Sequence, residues 1–227
     1  MRQRLFVFTT LAWLTLAALC QAQSRNLIRN GSFESCTNPG IPDGWGMAWN
    51  QFVPDYFGEC RALPAYWVEK LGQDHIPTWG AGKDTVTDEG KQSLRVKQPG
   101  DLVCGTATSR HVKLKKGITY AFSFCMKADK ADIPISAGMY GKPYQTFKTT
   151  TTWKRYSLVF TPEENRPRER VIFRFTQNRG PDLRERMKKA EQGEVIDATD
   201  KATTFWVDAV QLEEAEAPTE YVDGGTW

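Results

Sequence analysis

The sequence predicts an all-β fold class, an antiparallel two-sheet β-sandwich formed by a single domain. Three observations predict it. Short β-rich runs alternate with clusters of turn-forming residues, and helical periodicity is scarce. Within Ile118–Lys127, Tyr120, Phe122, Phe124 and Met126 fall on one face, with Ala121, Ser123 and Cys125 on the other. Within Arg170–Thr176, Val171, Phe173 and Phe175 share a face opposed by Ile172, Arg174 and Thr176. An apolar face backed by a mixed polar one belongs to an antiparallel sheet with one side in the core.

The elements follow in chain order. Met1–Ala22 reads as a secretory signal: Arg2 and Arg4 precede an apolar run from Leu5 to Leu19, and the small Ala22 closes it. The domain is expected over 23–227, without internal repeat or linker. Asn26–Phe33 is expected as the first strand, ended by the Cys36–Gly46 turn segment with its two prolines and three glycines. Ser93–Lys97, Ile118–Lys127, Ile133–Tyr140, Trp153–Phe160, Arg170–Thr176 and Thr204–Leu212 complete the predicted strands. Phe52–Gly90 has few strand signals and is expected to be a long ordered loop, held by Tyr56, Phe57, Tyr66, Trp67 and Trp79. Pro181–Gly193 is expected as one short surface helix in a charged insert, opened by the proline and closed by the glycine.

The chain carries 30 basic and 27 acidic residues, and loss of Arg2 and Arg4 with the signal leaves 28 against 27. That balance argues against a nucleic-acid partner, which calls for a basic surplus or stripe. Beyond the signal no stretch approaches the roughly 18 apolar residues of a membrane span. With no membrane span after signal cleavage, the product is expected to be secreted, periplasmic or at the cell surface. Four cysteines follow Cys20: Cys36, Cys60, Cys104 and Cys125. An even count in an oxidising compartment suggests two disulfides, with three connectivities open. Cys36–Cys60 with Cys104–Cys125 is the favoured set, because each bond closes a fairly local loop. Zinc is disfavoured, since there is no C-x-x-C pair and only His75 and His111 to assist.

Several motifs then stand in order. Asn26–Glu34 reads N-L-I-R-N-G-S-F-E, followed by P-D-G-W at Pro42–Trp45. G-K-Q-S-L-R-V spans Gly90–Val96, and G-I-T-Y-A-F-S-F-C-M-K-A spans Gly117–Ala128. F-W-V-D-A-V-Q-L-E spans Phe205–Glu213, with A-P-T-E-Y at Ala217–Tyr221. In this order and spacing the motifs resemble the carbohydrate-binding modules of families 4, 9 and 22, which are galactose-binding-like jelly rolls. The resemblance implies a jelly-roll β-sandwich from Asn26 to Tyr221 and a polysaccharide or glycan partner, although fold by itself does not imply function. It also implies a structural Ca²⁺ held by Glu34 and Asp208, with carbonyls near Ser32 and Lys91 as further ligands. The chemistry agrees, because terminal strands of a jelly roll can be neighbours, and carboxylates with carbonyls form a hard-oxygen site suited to Ca²⁺. Asn30-Gly31-Ser32 is also a glycosylation sequon. It is read here as the tight backbone of the first motif.

Sugar recognition needs flat aromatic faces for the C–H side of the ring and directional hydrogen bonds for its hydroxyls. The aromatic candidates are Trp67 and Trp79 in the long loop and Tyr140 and Tyr144 in G-M-Y-G-K-P-Y. Ser123, Lys127, Arg174 and Gln177 are their polar companions, while Trp45, Tyr120 and Trp206 are assigned to the core. No catalytic set is expected. Carboxylate pairs lack a glycosidase context, Ser93 and Ser109 lack a nucleophile elbow, and Asp74–His75 has no nucleophile to serve. The predicted function is non-catalytic carbohydrate binding by an exported protein, stand-alone or the leading module of a longer one. The alternatives are a cell-surface adhesion module that binds protein, a lyase using Tyr140, Lys142, Tyr144 or Arg174, and a glycosidase. Oligomeric state is left open.

Overall fold

A computed structural model describes residues 25–50, 78–83, 90–100, 104–175 and 202–225, with 189, 192 and 194 as single positions. The strands are β1 (Trp45–Asn50), β2 (Thr78–Gly82), β3 (Ser93–Gln98), β4 (Cys104–Ser109), β5 (Val112–Leu114) and β6 (Tyr120–Ala128). They continue as β7 (Pro134–Met139), β8 (Tyr144–Lys148), β9 (Lys154–Phe160), β10 (Arg166–Glu169), β11 (Val171–Arg174) and β12 (Thr203–Glu214). Two five-stranded antiparallel sheets, ordered β1-β4-β11-β7-β8 and β2-β3-β12-β6-β9, pack into a jelly-roll sandwich. A two-stranded ribbon of β10 and β5 completes the set.

The alternation read in the sequence places the core. Tyr120, Phe122, Phe124 and Met126 of the second sheet are buried, as are Val171 and Phe173 of the first. Phe173 meets Phe124 edge-on at 5.0 Å and Phe122 at 6.1 Å, so aromatic contacts join the two sheets. Phe175 and Phe205 repeat the contact at 5.2 Å. Truncating such a ring to alanine costs about 3–5 kcal/mol through lost burial and the cavity left behind.

Residues 26–33 are a buried turn, which corrects the first predicted strand. Asn30 and Phe33 sit at φ of 52° and 59°, in the left-handed region that breaks a ladder. The Asn26 side chain replaces the ladder. Its Nδ2 donates to the Val210 and Val222 carbonyls, each at 3.0 Å, and its Oδ1 accepts from Ile28 N at 2.9 Å and Leu212 N at 3.1 Å. Four bonds saturate the amide. The Gly31 carbonyl accepts the Val210 N–H at 2.9 Å, and a Cβ on Gly31 would run into the Val210 carbonyl. The first and last motifs are therefore adjacent, as expected. Asn30 is buried as well, with Nδ2 donating to the Ser35 and Asp43 carbonyls, which agrees with a backbone role for the sequon.

Other differences have local causes. The expected loop 52–90 contains the edge strand β2, whose Trp79 packs inward on the core; the rest of it, apart from 78–83 and Gly90, lies outside the described residues. The expected helix at 181–193 also lies outside them, apart from single positions. Neither Cys36 nor Cys125 forms a disulfide among the described residues. Cys60, the expected partner of Cys36, is outside the described residues. The expected Cys104–Cys125 bond is corrected by topology: β4 belongs to the first sheet, while Cys125 alternates with buried Phe124 and Met126 and so lies on the outer face of the second.

That outer face carries a polar seal. Ser123, Gln211 and Glu213 are fully buried there, under the segment that follows β12. Glu213 Oε1 accepts from Gln211 Nε2 at 2.7 Å and Thr219 N at 2.8 Å, and its Oε2 accepts the Thr219 hydroxyl at 2.7 Å. Arg155 donates to Ser123 Oγ at 2.8 Å and to the Thr219 carbonyl at 3.4 Å.

Candidate functional site

The outer face of the first sheet is made by the side chains that alternate with its core set. Register places Gly46, Thr108, Ile172, Gly138 and Tyr144 in one row across β1, β4, β11, β7 and β8. Thr106, Arg174, Ser136 and Thr146 form the next row. Because β7 offers only Gly138 and Ser136 between them, Arg174 and Tyr144 meet above it, with the guanidinium carbon 5.3 Å from the ring centroid. Such a cation–π pair adds about 0.5–1 kcal/mol at an exposed site. Gly138 lies at φ 151°, and a Cβ there would come within 2.5 Å of the Pro143 carbonyl and 2.6 Å of Tyr144 Cα. Glycine at 138 is what lets β8 approach so closely.

Tyr144 is 40% exposed, and Tyr140 at the β7–β8 turn is 60% exposed. The Arg174 Nε–H is buried without an acceptor among the described residues. The turn itself is braced from β10. Glu169, buried, accepts from Gly141 N at 3.1 Å and Arg170 N at 2.9 Å, and pairs with Arg166 at 3.3 Å. Arg166 in turn donates to the Lys142 carbonyl. Glu169 and Arg166 thus hold the segment that presents both tyrosines. Neither is marked in the sequence, because the link joins elements 24 and 28 residues apart.

The remaining candidates do not join this face. Trp79 is half-buried and packs on the core from the edge strand of the second sheet, and Ser123 is fully buried behind Arg155. Lys127 lies on the outer face of the second sheet, its Nζ 5.1 Å from the Trp206 ring centroid and 5.6 Å from that of Trp153. Trp67 and Gln177 are outside the described residues. Periodicity assigned each residue to a face of its own strand, but not to one sheet or the other.

The four residues expected to hold a metal gather near the start of β3. Glu34 Oε1 accepts the backbone N–H groups of Lys91 and Gln92, and Gln92 Nε2 donates to the Glu34 carbonyl at 3.2 Å. Val207 pairs with Leu94, which sets Asp208 level with Ser93, one residue from Gln92. Asp208 is fully buried, with Oδ1 accepting the Ala209 N–H at 2.7 Å, and Ser32 is buried nearby in the first motif. Among the described residues no cluster of three or more His, Cys, Asp or Glu side chains exists, so a cation here would rely on carbonyls beside the two carboxylates. That donor set is all oxygen and fits Ca²⁺. Next to it, burial and then the Asp43 and Glu34 carboxylates push the Cys36 thiol above its ordinary value.

Residues 25–181 match the family described as carbohydrate binding domain, CBM_4_9, and the chain belongs to that family. Its fold is also that of several solved structures. The carbohydrate-binding module TmCBM61, solved with β-1,4-galactotriose, is similar at a TM-score of 0.50 and 14% identity, over 85% of this chain and 100% of that one. The enzymatically active domain of tailspike protein 4 of bacteriophage CBA120 is similar at a TM-score of 0.50 and 12% identity, over 84% of this chain. The match spans only 21% of that tailspike chain. A family 4 module is similar at a TM-score of 0.45 and 20% identity, over 83% of this chain and 99% of that one. No curated protein matches the chain in sequence.

Proposed function

We propose that this protein is a non-catalytic carbohydrate-binding module, exported from the cytoplasm, that holds a polysaccharide or glycan on the outer face of its first sheet. The observation that carries the reading is the Tyr144–Arg174 pair above Gly138, its tyrosine exposed, in a member of a carbohydrate-binding family. The tyrosine ring offers a stacking surface for the C–H side of a sugar, and the Arg174 guanidinium beside it offers donors for a hydroxyl. Tyr140 extends the platform at the rim. The Met1–Ala22 signal pattern supports export. Ca²⁺ held by Glu34 and Asp208, with carbonyls near Ser32 and Lys91, would tie the first motif to the last strand as a scaffold ion, remote in role from the sugar.

Retention on a glycan array, with the ligand recovered intact, tests this. Tyr144→Ala is expected to weaken retention by about 1–3 kcal/mol, by analogy with base–aromatic stacking, and to lower the melting temperature by no more than about 2–4 °C, the loss of its pair with Arg174. A chelator is expected to lower the melting temperature while sugar binding survives at low temperature. Failure to retain any glycan, or cleavage of the one retained, defeats the reading; a melt indifferent to chelator and to added Ca²⁺ defeats the metal.

A further inference from the structure

Positive charge is unevenly spread on this near-neutral chain. Two adjoining cavities, of about 270 and 330 Å³, open at the end of the first sheet where β4 turns into β5. Both are lined by Gly44, Ser109, Arg110 and His111; the first adds Arg29 and Lys113, the second Arg170, Gly46 and Thr108. Two acids adjoin them, and the Asp43 carboxylate is itself stabilised in part by the Arg110 charge. Asp43 accepts from Ser35 Oγ at 2.7 Å and from Thr37 N and Oγ1 at 3.0 Å, while Glu169 accepts from two backbone amides and pairs with Arg166. His111 Nε2 accepts the Arg170 Nε–H at 3.0 Å, which anchors that guanidinium at the cavity wall. Arg170 forms no salt bridge among the described residues. The second cavity continues onto the candidate sugar face through Gly46 and Thr108, and the exposed Tyr140 gives its N–H to the Arg170 carbonyl at 2.8 Å.

We infer that this basic cavity is a subsite for the anionic substituent of an acidic glycan, a carboxylate or a sulfate, bound by Arg110 and Arg170 with His111 as a positioning residue. The inference rests on the carbohydrate reading and narrows it. Guanidinium groups present fixed donor forks that match the paired oxygens of carboxylate and sulfate, which a neutral hydroxyl cannot engage in the same way. An acidic sugar stacked at Tyr140 would direct its charge toward Arg170, and the next unit of the chain would run toward Tyr144.

Affinity electrophoresis of the full chain at about 0.15 M salt, where screening acts over ~8 Å, tests it with four polymers. They are a polyuronate, its carboxyl-reduced form, a sulfated galactan and its desulfated form, with duplex DNA as a polyanion control. At least one charged polymer is expected to be retained about tenfold or more tightly than its neutral counterpart, since a charge-assisted bond is worth about 1.5–3 kcal/mol. Which pair shows the ratio distinguishes carboxylate from sulfate. The double variant Arg110→Gln with Arg170→Gln is expected to abolish the ratio without weakening neutral retention, whereas Lys97→Gln, exposed on β3 of the second sheet, leaves it intact. His111→Ala should reduce the ratio and His111→Gln, whose amide oxygen can accept from Arg170, should restore it. Equal retention of charged and neutral forms, a full ratio in the double variant, or equal retention of DNA overturns the inference while carbohydrate binding stands. Retention of none of the glycans overturns the underlying reading instead.

Discussion

At His111 the acceptor role of Nε2 toward Arg170 places the proton of the neutral ring on Nδ1. Partial burial, and then the Arg170 and Arg168 guanidinium groups, hold its pKa below the ordinary 6.5, with Glu169 opposing them. Arg110 and Lys113, on the same cavity wall, add like charge. The ring is therefore neutral at pH 7, and the stability tied to its neutral form is lost as pH falls from 6.5 through the lower folded value. Proton NMR of the two histidines reads this directly: the His111 midpoint is expected below 6.5, rising when an acidic glycan occupies the cavity. A midpoint above 6.5 in the free protein would contradict the arrangement. Strand parity made Tyr144 and Arg174 legible as polar-face residues, but parity says nothing about sheet membership. Lys127 and Ser123 were equally good by that criterion and stand on the opposite face. His111 gave no signal at all, because its partner lies 59 residues away.

Elements with strong alternation were readable, and those at the edges were not. β6, β7, β9, β11 and β12 carry apolar residues every second position because one face is in the core. β4, with C-G-T-A-T-S, and β8, with Y-Q-T-F-K and a single buried residue, lack that pattern. The 26–33 segment misled for the opposite reason: apolar Leu27, Ile28 and Phe33 imitate a strand, while their contacts are made from turns held by Asn26 and Asn30. The segment after β12 is an element of this kind too, fixed by side-chain bonds and not by a ladder. Glu213→Ala removes the three bonds that the buried carboxylate accepts, from Gln211 Nε2, Thr219 N and Thr219 Oγ1, and is expected to cost about 3 kcal/mol or more in denaturant unfolding. Glu214→Ala removes only an exposed pair with Lys115 at 3.8 Å and should cost less than about 1 kcal/mol. Equal effects would show that the seal contributes nothing.

On the scale of the whole molecule, the sandwich separates two aromatic and cationic surfaces. One is the Tyr144–Arg174 face of the first sheet; the other is the Trp206–Lys127–Trp153 row of the second. Composition alone favours the second, since tryptophan is the larger platform. The exposed Tyr144 and Tyr140 and the basic cavity at its end favour the first. Isothermal titration of the best-retained glycan against Tyr144→Ala and Trp206→Ala decides between them most directly. The account predicts a loss of about tenfold or more for Tyr144→Ala, consistent with ~1–3 kcal/mol of stacking, and wild-type affinity for Trp206→Ala at equal thermal stability. Wild-type affinity for Tyr144→Ala with binding lost in Trp206→Ala would contradict it.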